Sequence, residues 1–213
     1  MCRAGLIFMG RVDVRGFCLA ALLISALLAA VAPARAAPEA GQFLSELTER
    51  AIDQLTEAGI SDEEQKRRFR LLVNEGFDIP AISRFVLGRY WRRASEAQRQ
   101  AFTTVLEDLV VHRFLPAFAK IEGERILVGL VRPFAKNPDY FSVASKLGRG
   151  EEESIQINWR VRRRDGVFKI VDVVAEGISI AVTLRSEYNA VLKRNGGDVD
   201  ALTQILRDKI SGL

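Results

Sequence analysis

The clearest pattern in the chain lies between Ser154 and Leu184. From Ser154 to Arg163 the residues alternate, with Ile155, Ile157, Trp159 and Val161 on one side and Gln156, Asn158, Arg160 and Arg162 on the other. Alternation over that length predicts a strand with one buried face. Asp165-Gly166 follows. A two-residue Asp-Gly loop suits the type I′ turn that matches strand twist, so Val167 to Val174 is expected to return antiparallel. After Glu176-Gly177, the residues Ile178, Val182, Leu184 and Tyr188 fall near helical spacing. The chain is therefore expected to turn off the sheet there into a helix that covers it.

Upstream the apolar period is helical. Phe43, Leu44, Leu47, Ala51, Ile52 and Leu55 place a helix over Pro38 to Ala58, ended by Gly59. Ser61 with Glu64 opens a second helix that runs to Gly76, and Asp78 caps a short third one with Pro80 in its first turn and Gly88 after its end. Ser95 with Gln98 is a further capping box. The long helix it opens carries Phe102, Val105, Leu106, Leu109, Val110 and Phe114 on one side, until Pro116 bends or ends it. Beyond Gly123 the period becomes strand-like. Ile126 to Val131 and Tyr140 to Leu147 are expected strands, joined by a loop from Arg132 to Asp139 because of its two prolines, and Gly148 to Glu153 is a charged turn. Asp198 caps a last helix with Leu202, Ile205, Leu206 and Ile210 on one face. The expected class is α+β, a four-stranded, largely antiparallel twisted sheet packed against several helices, with the space between them either filled by side chains or left open as an apolar pocket.

The first residues change how the composition is read. Arg11 and Arg15 precede an apolar run from Phe17 to Ala32 that closes with Ala34-Arg35-Ala36. Residues 1–36 therefore read as a secretory signal peptide cleaved after Ala36, with 37–213 as a single domain. An uncleaved anchor is the alternative, but the run is short of the roughly 20 apolar residues a span needs. The whole chain has 31 basic and 27 acidic residues; without Arg3, Arg11, Arg15, Arg35 and Asp13 the balance is 27 to 26. The apparent basicity belongs to the leader, and nucleic-acid binding loses its compositional support. Cys2 and Cys18 leave with it, so the exported domain is expected to have no disulfide and no thiolate chemistry.

Little in the remaining residues marks a reaction. There is no glycine-rich phosphate loop and no nucleophile elbow, and the lone histidine, His112, reads as a structural or surface residue. No metal site and no cofactor are expected. Binding has more support than catalysis, because an apolar sheet face opposite amphipathic helices is where a ligand cavity can form, although a filled core is the default.

Three stretches, FDIPAISRFVLGRYWRRASEAQRQAF, INWRVRRRDGVFKIVDVVAEGISIAVTLRSEY and RNGGDVDALTQIL, together resemble the MlaC family of periplasmic phospholipid carriers, also called the toluene-tolerance family. The resemblance runs from about Phe69 to Ile210. Ile121-Glu122-Gly123-Glu124 departs from the family's aromatic turn, and the Arg132 to Asp139 loop is not part of the resemblance. What the resemblance implies is a non-enzymatic periplasmic shuttle. It would take phospholipid between an outer-membrane lipoprotein–porin complex and an inner-membrane MCE/ABC transporter, and so maintain outer-membrane lipid asymmetry. A hopanoid-associated carrier of the same family and a non-lipid periplasmic adaptor are the other readings. On the carrier reading the lipid-binding residues are expected to be Phe85, Tyr90, Phe102, Leu106 and Val110 from the helices, Ile157, Trp159, Val161 and Val173 from the sheet, and Ile178, Val182 and Tyr188 from the covering helix. Ordinary core packing competes at each position. Arg160, Arg162, Arg163 and Arg164 read as a solvated hairpin face with a second use in docking.

Overall fold

The structure is a computed structural model and describes residues 32–118, 125–148 and 154–212. The chain divides into two compact units, residues 1–36 and 37–213, and the second contains the whole sheet. The signal-peptide reading falls largely outside the described residues, as do Ile121 to Glu124 and most of the charged turn before Ser154.

Among the described residues four helices precede the sheet: α1 (Ala32–Leu55), α2 (Asp62–Gly76), α3 (Ile79–Leu87) and α4 (Glu96–Phe118), with a 3₁₀ turn, Gly88–Arg92, between the last two. The starts of α2, α3 and α4 follow the expected caps, whereas α1 is already helical at Ala32 and ends at Leu55, against the expected Pro38 to Ala58. The Ser61 hydroxyl accepts from the Glu64 N–H at 3.3 Å, and Asp78 accepts from the Ala81 N–H at 2.9 Å. Ser95 and Gln98 close both arms of their box, at 2.9 and 3.1 Å. Pro116 lies inside α4, two residues before Phe118, the last described residue of that segment.

The sheet has five strands, not four, all antiparallel to their neighbours in the order β1 (Arg125–Phe134), β2 (Asn137–Gly148), β3 (Ile155–Arg164), β4 (Val167–Ala175) and β5 (Ile178–Ser179). Asp165 and Gly166 have φ of 51° and 78°, the type I′ pair. Glu176 and Gly177 repeat it at 48° and 79°. A second tight hairpin therefore forms where a direct exit into a helix was expected, and Ile178 belongs to β5. The loop expected from Arg132 to Asp139 is also mostly strand, because Pro133 sits on the edge strand β1, where no ladder hydrogen bond needs its N–H, beside a register shift.

Two more helices follow, α5 (Ile180–Arg194) and α6 (Val199–Ser211). Asp198 caps α6 by accepting from the Asp200 and Ala201 N–H groups. Phe77 forms a parallel bridge with Ile170, and the Asp78 N–H donates to the Ile170 carbonyl at 2.9 Å, so the chain between α2 and α3 is stitched to β4.

Two closed cores result. One lies among α3, α4, α5 and α6 and contains Leu87, Tyr90, Phe102, Tyr188, Leu192 and Leu202. Phe102 and Tyr188 meet there edge to face, with centroids 6.3 Å apart. The other closes one end of the sheet. Phe141 pairs in register with Val161 and Val161 with Ile170, all three fully buried, and Phe168 stacks on Phe43 and meets Phe141 edge to face, each at 6.0 Å between centroids.

Candidate functional site

At the other end of the sheet the same apolar face does not close. A cavity of about 320 Å³, partly open to solvent, lies between the strands and the helices. Its walls are Leu47 and Ala51 of α1, Phe69, Leu72 and Val73 of α2, Phe77, Ile79 and Ile82 at the start of α3, and Leu106, Val110 and Phe114 of α4. The sheet contributes Ile126, Leu147, Ile157, Trp159, Val171, Val173 and Ala175, and α5 contributes Ile180, Ala181 and Leu184. Left as unfilled core, such a void would cost up to about 8 kcal/mol at roughly 24 cal/mol per Å³. That is on the scale of a domain's whole net stability, about 5–15 kcal/mol. It is too large for a packing defect and falls in the range of ligand sites, about 300–1,000 Å³.

Two polar side chains touch the lining, Thr48 and Asp172, and both are already engaged. The Thr48 hydroxyl donates back along α1 to the Leu44 carbonyl at 2.9 Å. Asp172 is buried and accepts from the Ser179 hydroxyl at 2.6 Å and the Ala181 N–H at 2.9 Å, with an Arg160 guanidinium nitrogen at 3.1 Å. It anchors the first turn of α5 to β4. Trp159 turns its indole N–H to the Ser145 hydroxyl at 2.8 Å. The wall therefore offers hydrocarbon to an occupant and keeps its polar atoms for itself, which suits an apolar ligand.

Five of the twelve residues expected at the site line this cavity: Leu106, Val110, Ile157, Trp159 and Val173. The other seven do not, for three physical reasons. Tyr90, Phe102 and Tyr188 are consumed by the helical core, where burial pushes the Tyr188 phenol up to about 12. Val161 shares the face of Trp159 but stands at the closed end of the sheet, between Phe141 and Ile170. Phe85, Val182 and Ile178 are on the surface, 41 %, 49 % and 64 % exposed. Contributions from α1, α2 and the strand ends Ile126, Leu147 and Ala175 were missed; their apolar periods were visible, but no local signal separates a face against a void from a face against side chains. The hairpin arginines are not free either: Arg160 pairs with Asp172, Arg162 with Asp78, Arg163 with Asp139 and Arg164 with Asp165. Among the described residues no cluster of His, Cys, Asp and Glu could hold a metal ion.

A family model described as MlaC protein matches residues 45–208. Among solved structures, the chain is similar to the phospholipid-binding protein from Ralstonia solanacearum in complex with a phospholipid, with a TM-score of 0.65 at 19 % sequence identity. The match covers 79 % of this chain and 97 % of that one, and at this identity the likeness is one of fold.

Proposed function

This chain belongs to the MlaC family, and on that premise we propose that it is a phospholipid carrier whose acyl chains occupy the cavity between the sheet and the helices. The observation that carries the reading is the lining itself, a partly open volume of about 320 Å³ walled by hydrocarbon, whose two polar side chains are satisfied within the protein. The Ralstonia structure, of the same fold, holds a phospholipid, which supports the same reading here.

Two acyl chains of roughly fifteen methylenes each would cost on the order of 24 kcal/mol to expose to water, at about 0.8 kcal/mol per methylene. Unassisted transfer through an aqueous compartment is negligible at that cost, so a carrier must cover the tails. It need not desolvate the headgroup, which stays hydrated at the opening. The carrier works by binding and release and not by catalysis. The route we propose is the periplasmic one, between an outer-membrane lipoprotein–porin complex and an inner-membrane MCE/ABC transporter, with the leader at residues 1–36 directing export. Lipid extraction from the purified protein tests the cargo. Transfer of labelled lipid between the two membrane complexes, with and without the protein, tests the route.

A further inference from the structure

From the exposed side of α3 and α5 we infer a docking surface for membranes rich in anionic phospholipid. The chain holds no Asp or Glu between Asp78 and Glu96, yet it has Arg84, Arg89, Arg92 and Arg93 there. All four are exposed, and Arg185 on α5 joins them. Its guanidinium lies 4.8 Å from the Phe85 ring centroid, donates to the Phe85 carbonyl at 2.9 Å, and stands where a side chain on Gly88 would meet it at 3.0 Å. Among the described residues none of these five arginines pairs with a carboxylate, whereas all four hairpin arginines do. The domain is close to neutral, so this is a local excess of positive charge.

Apolar side chains adjoin Arg185 on this side, while Arg93 lies at the far end of the stretch with Gln98 and Asp198. Phe85 projects under Arg185, and Val182 lies one turn before Arg185 on α5 with Ile178 just ahead of it, all three strongly exposed. Arginine without a carboxylate partner matches phosphate in a bidentate fork. Cations around protruding apolar residues are the pattern of a surface that seats at the headgroup boundary of an anionic bilayer. An acidic protein would match the charge but give Phe85, Val182 and Ile178 no apolar counterpart, so the bilayer is the better fit. The inner sides of the same helices, through Ile82, Ile180 and Leu184, line the cavity. Docking through this surface does not depend on what the cavity holds.

The test is flotation of the purified protein with phosphatidylglycerol-rich vesicles and with pure phosphatidylcholine vesicles. Binding is expected to the first and not the second, and it should weaken steeply with added salt. The side chains of Arg84, Arg92 and Arg93 make no hydrogen bond or ion pair among the described residues, so the triple variant Arg84→Gln, Arg92→Gln, Arg93→Gln should fold as the parent does. Its vesicle binding should fall on the order of a hundredfold, about fivefold or 1 kcal/mol for each arginine. Arg207→Gln with Lys209→Gln, on α6, should leave binding as it was. Absence of binding to the phosphatidylglycerol vesicles, or undiminished binding by the triple variant, would overturn the inference. Retention of polyglutamate without vesicle binding would overturn it in favour of a protein partner.

Discussion

A side chain on Gly76 would run its Cβ into Leu47 Cδ2, so the end of α2 rests directly on a residue of the cavity wall. Gly76→Ala must therefore displace Leu47, and the free direction is into the cavity. Alanine at this last helical position gains at most the roughly 1 kcal/mol over glycine of a helix interior, which offsets part of the repacking. The variant should melt within a few degrees of the parent, as checked by circular dichroism, and retain less lipid after purification. A loss of more than about 3 kcal/mol would mean that Leu47 is locked by packing.

Cavity and core respond oppositely to volume. Val173→Phe adds bulk where there is space, and its cost should stay below the roughly 1–3 kcal/mol of overpacking in a filled core, with lipid displaced. Phe102→Ala removes a fully buried ring from the helical core and should cost about 3–5 kcal/mol. Denaturant unfolding and lipid extraction on the same samples separate the two effects.

Asp172 ties β4 to α5 through the Ser179 hydroxyl and the Ala181 N–H. Asp172→Ala should cost about 0.5–2 kcal/mol as a lost helix cap, and more through the buried partners it leaves unpaired. Asp172→Asn keeps an acceptor and should cost less. Hydrogen exchange should show the loss first at the amides of the opening turn of α5.

Burial, with a smaller contribution from Glu187, raises the Tyr188 phenol from 10.0 to about 12. Below about pH 10 the folded and unfolded states both hold the proton, and the full stabilisation is present. Above it the unfolded state ionises first, so stability declines as pH rises from 10 through 12. Ultraviolet titration should show a late phenolate step that Tyr188→Phe removes, along with part of the alkaline loss of stability. Titration of Tyr188 at an ordinary phenol value would place it in contact with water and contradict its position in the core.

Turns and caps were the most legible parts of the sequence, because their chemistry is local. Asp165-Gly166 and the Ser95–Gln98 box are written in adjacent residues and appear as written. Glu176-Gly177 carries the same backbone pair, but glutamate is a weaker turn signal than aspartate, and β5 went unread. The cavity was the least legible part. Trp159 and Val161 are two residues apart on one face of one strand, yet the first lines the cavity and the second is sealed between Phe141 and Ile170. That difference depends on how far each helix stands from the sheet, which periodicity does not encode. The same holds for the hairpin arginines, whose carboxylates, Asp78 among them, lie as far as 84 positions away along the chain.

The most direct measurement of lipid carriage is native mass spectrometry of the purified protein, with lipid extraction from the same sample. One two-chain phospholipid per protein is expected, lost in Val173→Phe while the cooperative melt remains. A folded protein that carries no lipid, or that carries it unchanged when the cavity is filled, would contradict the carrier reading.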